Sequence, residues 1–443
     1  MTTDSEVLQI GRKLAAAFPT ASRNPMKAID QRAMDMASQD AELRAALFRF
    51  VDVVPACRNV DDLATHLTSF LSEVDDRPLP LDAAMKMGSS RAGRAALGTA
   101  AAAGVKHMAH RFIVGETPHD AERIMRSLWN DGVATSVDLL GEATVTSAEA
   151  DRYAERCAEA LDSLAAVYRP LPERPALEAD GLGTIPRANL SVKVSALTPL
   201  LRPDAPELGK RDAAPRVRAL LRRAKERDAY LHIDMESFDS REAITDLVLE
   251  LLAEDEFRDG PSAGLVLQAY LVDSPELCER ITAWARETPR DHPLTVRLVK
   301  GAYWDHEVVD ARQHGWEPPV FEVKAESDRN FEALTVRLLE ARPHIRPAIA
   351  SHNLRSVAHA IAANRDLQAD DRDVEFQVLR GLGDELQHAL AKEGFRVRTY
   401  CPVGDLVAGM AYLVRRLLEN TSNEGFLNMQ AEGHSLEELL AAP

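Results

Sequence analysis

The segment AYLHIDME (residues 229–236) decides between the two folds that the chain's strand pattern allows. Its apolar residues alternate with the polar His232, Asp234 and Glu236, so an extended strand has one apolar and one polar face. A strand covered by helices on both faces of an open sheet should instead be apolar throughout. The alternation therefore predicts a barrel, with helices outside and polar groups pointing inward near the mouth. NLSVKVSAL (189–197) shows the same pattern.

Eight β-rich runs alternate with amphipathic helical segments from about residue 134 onward. The runs are ATSVDLLGE (134–142), ANLSVKVSAL (188–197), AYLHIDME (229–236), AGLVLQAY (263–270), LTVRLVKGAYW (294–304), RPAIASHN (346–353), DVEFQVLRG (373–381) and RVRTYCPVG (396–404). This repetition is typical of an α/β protein with a closed parallel (β/α)8 barrel. An open doubly wound sheet is the competing fold.

The residues before the barrel have a helical pattern only. Apolar residues recur at helical spacing in AELRAALFRFVDVV and VDDLATHLTSFLSEV, and the two prolines of DDRPLPLD (75–82) predict a break. We therefore predict a helical arm and α-domain over 1–110, the barrel over 111–425 and a tail over 426–443. The tail is polar apart from the short amphipathic piece SLEELLAA, and we expect it outside the barrel.

Composition excludes several classes of protein. The 443 residues carry 53 Lys and Arg against 70 Asp and Glu, a net charge of −17, which disfavours nucleic acid as a partner. The four cysteines are widely spaced and form no CxxC pair, so neither a zinc site nor a disulfide framework is predicted. The polar N-terminus and the lack of a long apolar run predict a cytoplasmic protein without a membrane span.

Polar residues collect at the carboxyl ends of the predicted strands, where (β/α)8 barrels place their working groups. They are Asp138, Glu142, Lys193, Asp234, Glu236, Gln268, Tyr270, Arg297, Lys300, His352, Asn353, Gln377 and Tyr400. The cations Lys193, Arg297 and Lys300 need anions if they share one interior. They either pair with Asp138, Glu142 and Asp234 as structural ion pairs or bind an anionic ligand.

The predicted last helix, DLVAGMAYLVRRLLEN (405–420), carries a second polar set. Tyr412, Arg415, Arg416 and Glu419 recur at helical spacing and share one face, opposite an apolar face. A solvated surface explains such a face equally well. Two adjacent arginines beside a tyrosine also suit bidentate capture of a carboxylate.

Three short motifs carry little weight. Gly260-Pro-Ser-Ala-Gly264 has the GxSxG pattern but precedes a strand, whereas a nucleophile elbow follows one. Gly381-Leu-Gly383 lacks the third glycine of a dinucleotide-binding turn. His107 and His110 lie in an Ala-rich helix without neighbouring carboxylates, so a packing or surface role is favoured over a metal.

Two segments, RLVKGAYWD (297–305) and AYLVRRLLEN (411–420), carry a family resemblance. They resemble the proline dehydrogenase module of the bifunctional proline utilization A flavoenzymes. The supporting segments SVKVSAL, HIDME, GLVLQAY, ASHN, EFQVLRG and TYCPVG occur in the family's order, and together the matches cover about residues 112–425. The helical first hundred residues are similar to the family's arm and α-domain.

The resemblance implies FAD-dependent oxidation of L-proline to Δ1-pyrroline-5-carboxylate at the barrel mouth. It assigns the substrate pocket to Glu142, Lys193, Asp234, Leu298, Tyr400, Tyr412, Arg415 and Arg416. Within that set, Lys193 and the two arginines hold the carboxylate, and Glu142 gates the site through Arg415. It assigns FAD to Gln268, Arg297, Val299, Lys300, Gly301, Ala302, Trp304, His352, Asn353, Gln377, Leu379 and Glu419.

The resemblance also implies partners. Its members pass electrons to a membrane quinone, which implies peripheral association with a membrane, and they work with a pyrroline-5-carboxylate dehydrogenase module. That module does not follow the barrel here, so we expect either a stand-alone enzyme or the N-terminal portion of a longer one. The sequence shows no ribbon-helix-helix segment, and we expect no operator binding.

Two other classes remain open on the residues alone. A metal-dependent barrel would use Asp138, Glu142, His232, Asp234, Glu236 and His352 as ligands. The neighbouring cations Lys193, Arg297 and Lys300 oppose it, because they would repel a divalent ion. A non-catalytic scaffold that binds proteins through the N-terminal helices is the third class. No metal site is predicted.

Overall fold

A closed barrel of eight parallel strands forms the centre of the molecule, as the alternation predicts. The computed structural model describes residues 3–19, 40–75, 79–87, 90–141, 144–405, 409, 412 and 434–443. The barrel strands are β1 (Val133–Leu139), β4 (Ala188–Val192), β5 (Ala229–Ile233), β6 (Ala263–Gln268), β7 (Leu294–Val299), β8 (Ile345–Ala350), β9 (Glu375–Leu379) and β10 (Arg396–Val403). They pair in chain order, and β10 closes the barrel against β1.

Helices separate successive strands and cover the barrel. In the barrel region they are α6 (Glu122–Asn130), α7 (Ser147–Tyr168), α8 (Pro175–Glu178), α9 (Pro206–Glu226), α10 (Phe238–Leu252), α11 (Ser274–Glu287), α12 (Trp304–His314), α13 (Lys324–Glu340), α14 (Leu354–Asp366) and α15 (Asp384–Lys392). The outward faces of the strands, such as Leu231 and Ile233, are buried with these helices in one large apolar core. Burial of that apolar surface is the main force holding the helices on the barrel.

Several predicted strands extend past the observed ones at their carboxyl ends. The strand predicted to reach 197 ends at Val192, and Val194–Ala196 form a single 3₁₀ turn. The strand predicted to reach Glu236 ends at Ile233, and Trp304 starts a helix rather than ending a strand. Beyond the rim the backbone has no neighbouring strand with which to form hydrogen bonds, so each strand ends there. The polar residues predicted at the strand ends therefore lie partly in the loops that follow.

A short hairpin closes the other end of the barrel, and the sequence analysis missed it. It consists of β2 (Ala179–Asp180) and β3 (Gly183–Thr184). The side chain of Asp180 is fully buried and accepts hydrogen bonds of 2.8 and 3.0 Å from Arg346, and its carboxylate lies 3.0 Å from Arg396. The hairpin thus neutralises two buried guanidinium groups at the amino ends of β8 and β10.

Within the ranges that the structure describes, the first 112 residues form helices joined by short connections, as predicted. They form α1 (Asp4–Ala16), α2 (Ala41–Val53), α3 (Val60–Leu71), α4 (Leu79–Met87) and α5 (Arg91–Phe112). The predicted break at 75–82 is too long, because the chain resumes helix at Leu79 with Pro80 in the first turn. Proline fits that position, since first-turn N–H groups have no partner within a helix.

The two ends of the chain pack on the outside of the barrel. Helix α1 packs on α14 through Val7, which is buried with Ala358 and Ala362. The predicted amphipathic piece of the tail forms α16 (Leu436–Leu439), and Leu440 beyond it is buried against Gly11 of α1.

Two glycines of α5 give a matched test of the packing between α3 and α5. A Cβ at Gly98 would lie 1.8 Å from the carbonyl oxygen of Val60, whereas nothing lies within 4 Å of a Cβ at Gly104. We expect Gly98→Ala to lower the free energy of unfolding by about 1–3 kcal/mol, because the helices must move apart. Gly104→Ala should raise it by about 0.5–1 kcal/mol through helix propensity. Urea unfolding followed by circular dichroism measures both, and equal effects would contradict the packing.

Candidate active site

The carboxylate of Asp234 is the centre of the barrel mouth. Its Oδ1 accepts a 2.6 Å hydrogen bond from Nη1 of Arg297, and its Oδ2 accepts one of 2.6 Å from the hydroxyl of Tyr400. Nζ of Lys193 lies 3.8 Å from Oδ2 and donates a 2.7 Å hydrogen bond to Asp138. Five residues from five different barrel strands thus form one network. The sequence predicted that these residues lie at strand ends, but it did not predict the contacts among them.

Arg297 crosses the barrel interior and is nearly fully buried. Its Nε donates to Gln377 at 2.6 Å, and its Nη2 lies 3.3 and 3.2 Å from the hydroxyls of Ser136 and Ser191. The guanidinium carbon also lies 5.4 Å from the ring centroid of Tyr400. This one side chain, from β7, therefore contacts residues on or at the ends of β1, β4, β5, β9 and β10.

The charges at the mouth shift each other's protonation. Burial disfavours the ammonium of Lys193, but the carboxylates of Asp138 and Asp234 outweigh burial and raise its pKa. Burial and the same two carboxylates raise the pKa of Tyr400. Lys193 therefore stays charged and Tyr400 stays a neutral hydrogen-bond donor at neutral pH.

A second network links the loops around the rim. Burial raises the pKa of Glu236, whose oxygens accept a hydrogen bond from the hydroxyl of Ser195 and one of 3.1 Å from its N–H. The carbonyl of Ser195 accepts from the N–H of Thr144 at 3.1 Å, and the carbonyl of Glu236 accepts from Nε2 of Gln268 at 3.0 Å. These bonds join the loop after β1 to the ends of β4, β5 and β6.

The ion-pair alternative is correct for Lys193 and Arg297 and wrong for Lys300. Lys300 instead pairs with Asp328 of α13, whose carboxylate also accepts from Lys324 at 2.7 Å. Burial opposes ionisation of Asp328, but Lys300 outweighs it and lowers the pKa of that carboxyl. Asp328 was not among the site candidates predicted from the sequence, although Lys324 and Asp328 have the i, i+4 spacing of a helical ion pair.

The residues assigned by resemblance divide the rim into two halves. Lys193, Asp234 and Tyr400 belong to the adjacent strand ends β4, β5 and β10, with β1 between β4 and β10. The residues assigned to the cofactor follow the other four strands. They are Gln268 on β6, Arg297, Val299, Lys300, Gly301, Ala302 and Trp304 on or after β7, His352 and Asn353 after β8, and Gln377 and Leu379 on β9. Arg297 is the side chain that reaches from the second half into the first.

One assignment needs correction. Leu298 was expected in the substrate pocket, but it is fully buried and belongs to the same apolar core as Val296. The polar Arg297 takes the inward position, so the strand period of two turns Leu298 outward.

Gly301, at a φ of 142°, also has a structural reason to be glycine. A Cβ at this position would lie 2.3 Å from the ring of Tyr270. Its expected contact with a cofactor stays a prediction.

Four further candidates lie outside the described residues: Glu142, Arg415, Arg416 and Glu419. Two described residues of the predicted last helix, Gly409 and Tyr412, lie close to the end of α5 and to the end of β1. Tyr412 packs against the cluster that contains Ile113 and Leu140, and a Cβ at Gly409 would lie 2.5 Å from the Ile113 side chain.

The cofactor candidate Gln268 has a buried side-chain atom that lacks a partner within the described part of the chain. Oε1 of Gln268 accepts no hydrogen bond there, although Nε2 of the same side chain donates to Glu236. A buried acceptor of this kind is costly unless a ligand donates to it. The mouth therefore fits a ligand that carries N–H or O–H groups on this side.

The metal alternative has little support in the geometry. Among the described residues no three His, Cys, Asp or Glu side chains are grouped to hold a metal ion. Asp138 and Asp234 are occupied by Lys193 and Arg297, which would repel a cation. The described helices also include none that is both long and apolar enough to span a membrane.

Comparisons with known proteins agree with the geometry. Residues 121–429 match the proline dehydrogenase family model, and residues 4–112 match the model of the proline utilization A N-terminal domain. The bifunctional protein PutA of Klebsiella aerogenes is 33% identical over 347 residues, which are 76% of this chain and 25% of that protein. Proline dehydrogenase 1 of Bacillus subtilis is 28% identical over 328 residues, 74% of this chain and 92% of that protein.

Solved structures show the same likeness. Proline utilization A from Bdellovibrio bacteriovorus, inactivated by N-propargylglycine, superposes with a TM-score of 0.90 at 34% identity. The match covers 99% of this chain and 44% of that one. The chain thus spans about a quarter of the bifunctional PutA sequences it matches and less than half of this solved structure.

Two interior tyrosines test the charge at the centre of the site. Tyr400→Phe removes a hydrogen bond to the carboxylate of Asp234, whereas Tyr230→Phe removes a 2.7 Å bond to the imidazole of His232. Hydrogen bonds to charged groups contribute more to stability than bonds between neutral groups. We therefore expect the free energy of unfolding to fall by about 1.5–3 kcal/mol in Tyr400→Phe and by about 0.5–1.5 kcal/mol in Tyr230→Phe. Denaturant titration measures both. A loss for Tyr400→Phe no larger than for Tyr230→Phe would contradict a charged Asp234.

Proposed function

This chain belongs to the proline dehydrogenase family, and from that membership we propose that it oxidises L-proline to Δ1-pyrroline-5-carboxylate with bound FAD. The observation that supports this most is the divided rim. One half carries the Lys193, Asp234 and Tyr400 network, the other half carries the cofactor candidates, and Arg297 connects them. Substrate and cofactor would meet above Arg297. This reaction would be the first step of proline catabolism.

The substrate half needs more positive charge than the described residues supply. Lys193 and Arg297 are balanced by Asp138 and Asp234, so this network alone offers little net attraction to a carboxylate. We assign the missing cations to Arg415 and Arg416 of the predicted last helix. Lys193 would complete the carboxylate site, Tyr400 and Tyr412 would bound the ring, and Glu142 would close the site by pairing with Arg415.

The cofactor half would hold FAD through several kinds of contact. Oε1 of Gln268 has no donor among the described residues and would accept from a ring N–H. The cations Lys300 and Arg297, each held by a carboxylate, would face the cofactor, and the indole of Trp304 is 38% exposed at the start of α12. The remaining contacts would come from Val299, Ala302, His352, Asn353, Gln377, Leu379 and Glu419. FAD, when bound, supplies the two-electron acceptor that no side chain provides.

The described residues would act by binding, orienting and setting charge. Cations beside the substrate lower the pKa of its amine, which favours the neutral amine that can donate hydride. Arg297, held by Asp234 and Gln377, would place positive charge where negative charge develops on the acceptor. Asp234, Asp138 and Glu236 are each engaged by other groups, so the reaction would use no dedicated base among them.

The fate of the electrons and of the product belongs to the same proposal. We propose a quinone as electron acceptor, which would bring the protein from the cytoplasm to a membrane surface as a peripheral visitor. We propose a pyrroline-5-carboxylate dehydrogenase, as a module or a separate protein, as the consumer of the product. We propose no nucleic-acid partner.

An absorbance spectrum tests the proposed function most directly. The purified protein, reconstituted with FAD, should show a flavin spectrum that bleaches with L-proline but not with D-proline in the absence of oxygen. A flavin that stays oxidised with L-proline would contradict the substrate. Failure to bind FAD would contradict the cofactor and with it the whole proposal.

The two-arginine carboxylate site predicts a large effect of a conservative change. Arg416→Lys should raise the KM for proline by at least about tenfold, because lysine cannot reproduce a bidentate contact. Arg202→Lys is the control, since the side chain of Arg202 is exposed and pairs with the exposed Asp204. Steady-state kinetics measure both, and an unchanged KM in Arg416→Lys would remove that residue from the site.

A further inference from the structure

Arg355, in the first turn of α14, donates four hydrogen bonds on the outside of the barrel. Its Nε and Nη2 donate to Glu332 of α13 at 2.8 and 3.3 Å, and its Nη2 also donates to Asp4 of α1 at 2.9 Å. Its Nη1 donates to the carbonyl of Leu440 at 2.9 Å. The residue is buried, and all three guanidinium nitrogens are in use.

The three partners of Arg355 belong to both ends of the chain and to the barrel. The contacts around it reinforce the same junction. Val7 of α1 packs on Ala358 and Ala362 of α14, and Leu440 fills the space that a side chain at Gly11 would need. We call this junction the terminal clasp: Asp4, Gly11, Glu332, Arg355 and Leu440.

Two of the cofactor candidates, His352 and Asn353, directly precede this helical turn. Asn353 caps α14 by accepting a 2.9 Å hydrogen bond from the N–H of Ser356. Nε2 of His352 accepts a 2.9 Å bond from the N–H of Leu379 at the end of β9. A ring nitrogen that accepts from an N–H carries no proton, so His352 is neutral in this arrangement. A Cβ at Gly383 would lie 2.7 Å from the His352 ring, so the ring has little room to move.

We propose that Arg355 is a positioning residue for the cofactor, acting through the first turn of α14 on His352 and Asn353. This inference rests on the proposed function. Only Asn353 and Leu354 separate His352 from Arg355, and this backbone is a capped helix start, so a shift of the guanidinium is transmitted to the rim. Lysine could keep the charge but not the four bonds, since the fork geometry belongs to arginine.

The test compares FAD affinity in Arg355→Gln, Arg355→Lys and Arg365→Gln. Arg365 lies near the far end of α14 and pairs with Asp371 in an exposed contact, so it is the matched control. We expect the Kd for FAD to rise by about tenfold in Arg355→Gln, because displacement of a supporting group loosens a site. We expect a smaller rise in Arg355→Lys, a change below about twofold in Arg365→Gln, and a KM for proline within about twofold of wild type in all three.

A merely structural clasp gives a different result. It would lower the unfolding temperature of Arg355→Gln while leaving the Kd for FAD within about twofold of wild type, and that result would overturn the inference. If Arg355→Gln does not fold, Arg355→Lys takes its place, because lysine keeps the charge but cannot form the four bonds to Glu332, Asp4 and Leu440. A Kd for FAD within about twofold of wild type in Arg355→Lys would then overturn the inference. Wild-type protein that binds FAD but does not bleach with proline would contradict the proposed substrate and leave the Arg355 comparison valid.

Discussion

The buried ion pair of Arg297 and Asp234 is the interaction on which the site depends. A guanidinium in the middle of a barrel is stable only if anions and hydroxyls surround it, because removing one partner of a buried pair typically costs about 3–5 kcal/mol. Here Asp234, Gln377, Ser136 and Ser191 surround Arg297. Asp234 is therefore needed to neutralise the charge of Arg297, and the other three residues are needed as its hydrogen-bond acceptors, apart from any role in chemistry.

The same constraint extends through the barrel to its closed end. Gln377 donates to Glu375, whose carboxylate accepts two hydrogen bonds from Arg398. Burial opposes ionisation of Glu375, but Arg398 outweighs it and lowers the pKa of that carboxyl to about 2. Below them Asp180 neutralises Arg346 and Arg396. The hairpin at one end and the catalytic candidates at the other thus belong to one polar interior, while the apolar core lies outside the strands.

This arrangement explains why function concentrates at the mouth. Inside the barrel each described cation has a nearby anion, and at the rim the strands end and side chains gain access to ligands. The rim then separates the network of Lys193, Asp234 and Tyr400 from the region of Gln268, whose Oε1 has no donor among the described residues. The terminal clasp at Arg355 joins both ends of the chain to the helix that follows β8, and we propose that the rim depends on it.

The sequence by itself determined the eight barrel strands, their order, the barrel and the family. Those features follow from local periodicity and from segments that can be recognised in isolation, such as AYLHIDME and RLVKGAYWD. It placed Lys193, Asp234 and Tyr400 at strand ends and left ion pairing open as one of two alternatives. That alternative holds for Lys193 and Arg297 but names the wrong anions for Lys300, and the assignment of Leu298 turned that residue toward the wrong face. Only the tertiary structure showed that Asp234 accepts hydrogen bonds from Arg297 and Tyr400. It also showed that Asp180 pairs with buried arginines at the amino end of the barrel and that Arg355 contacts both ends of the chain. The physical reason is that these partners lie far apart along the chain. Arg297 and Asp234 are 63 positions apart, and Arg355 and Leu440 are 85 positions apart. Tyr400 and Asp234, like Arg346 and Asp180, are 166 positions apart. No local pattern encodes which charges meet when the barrel closes.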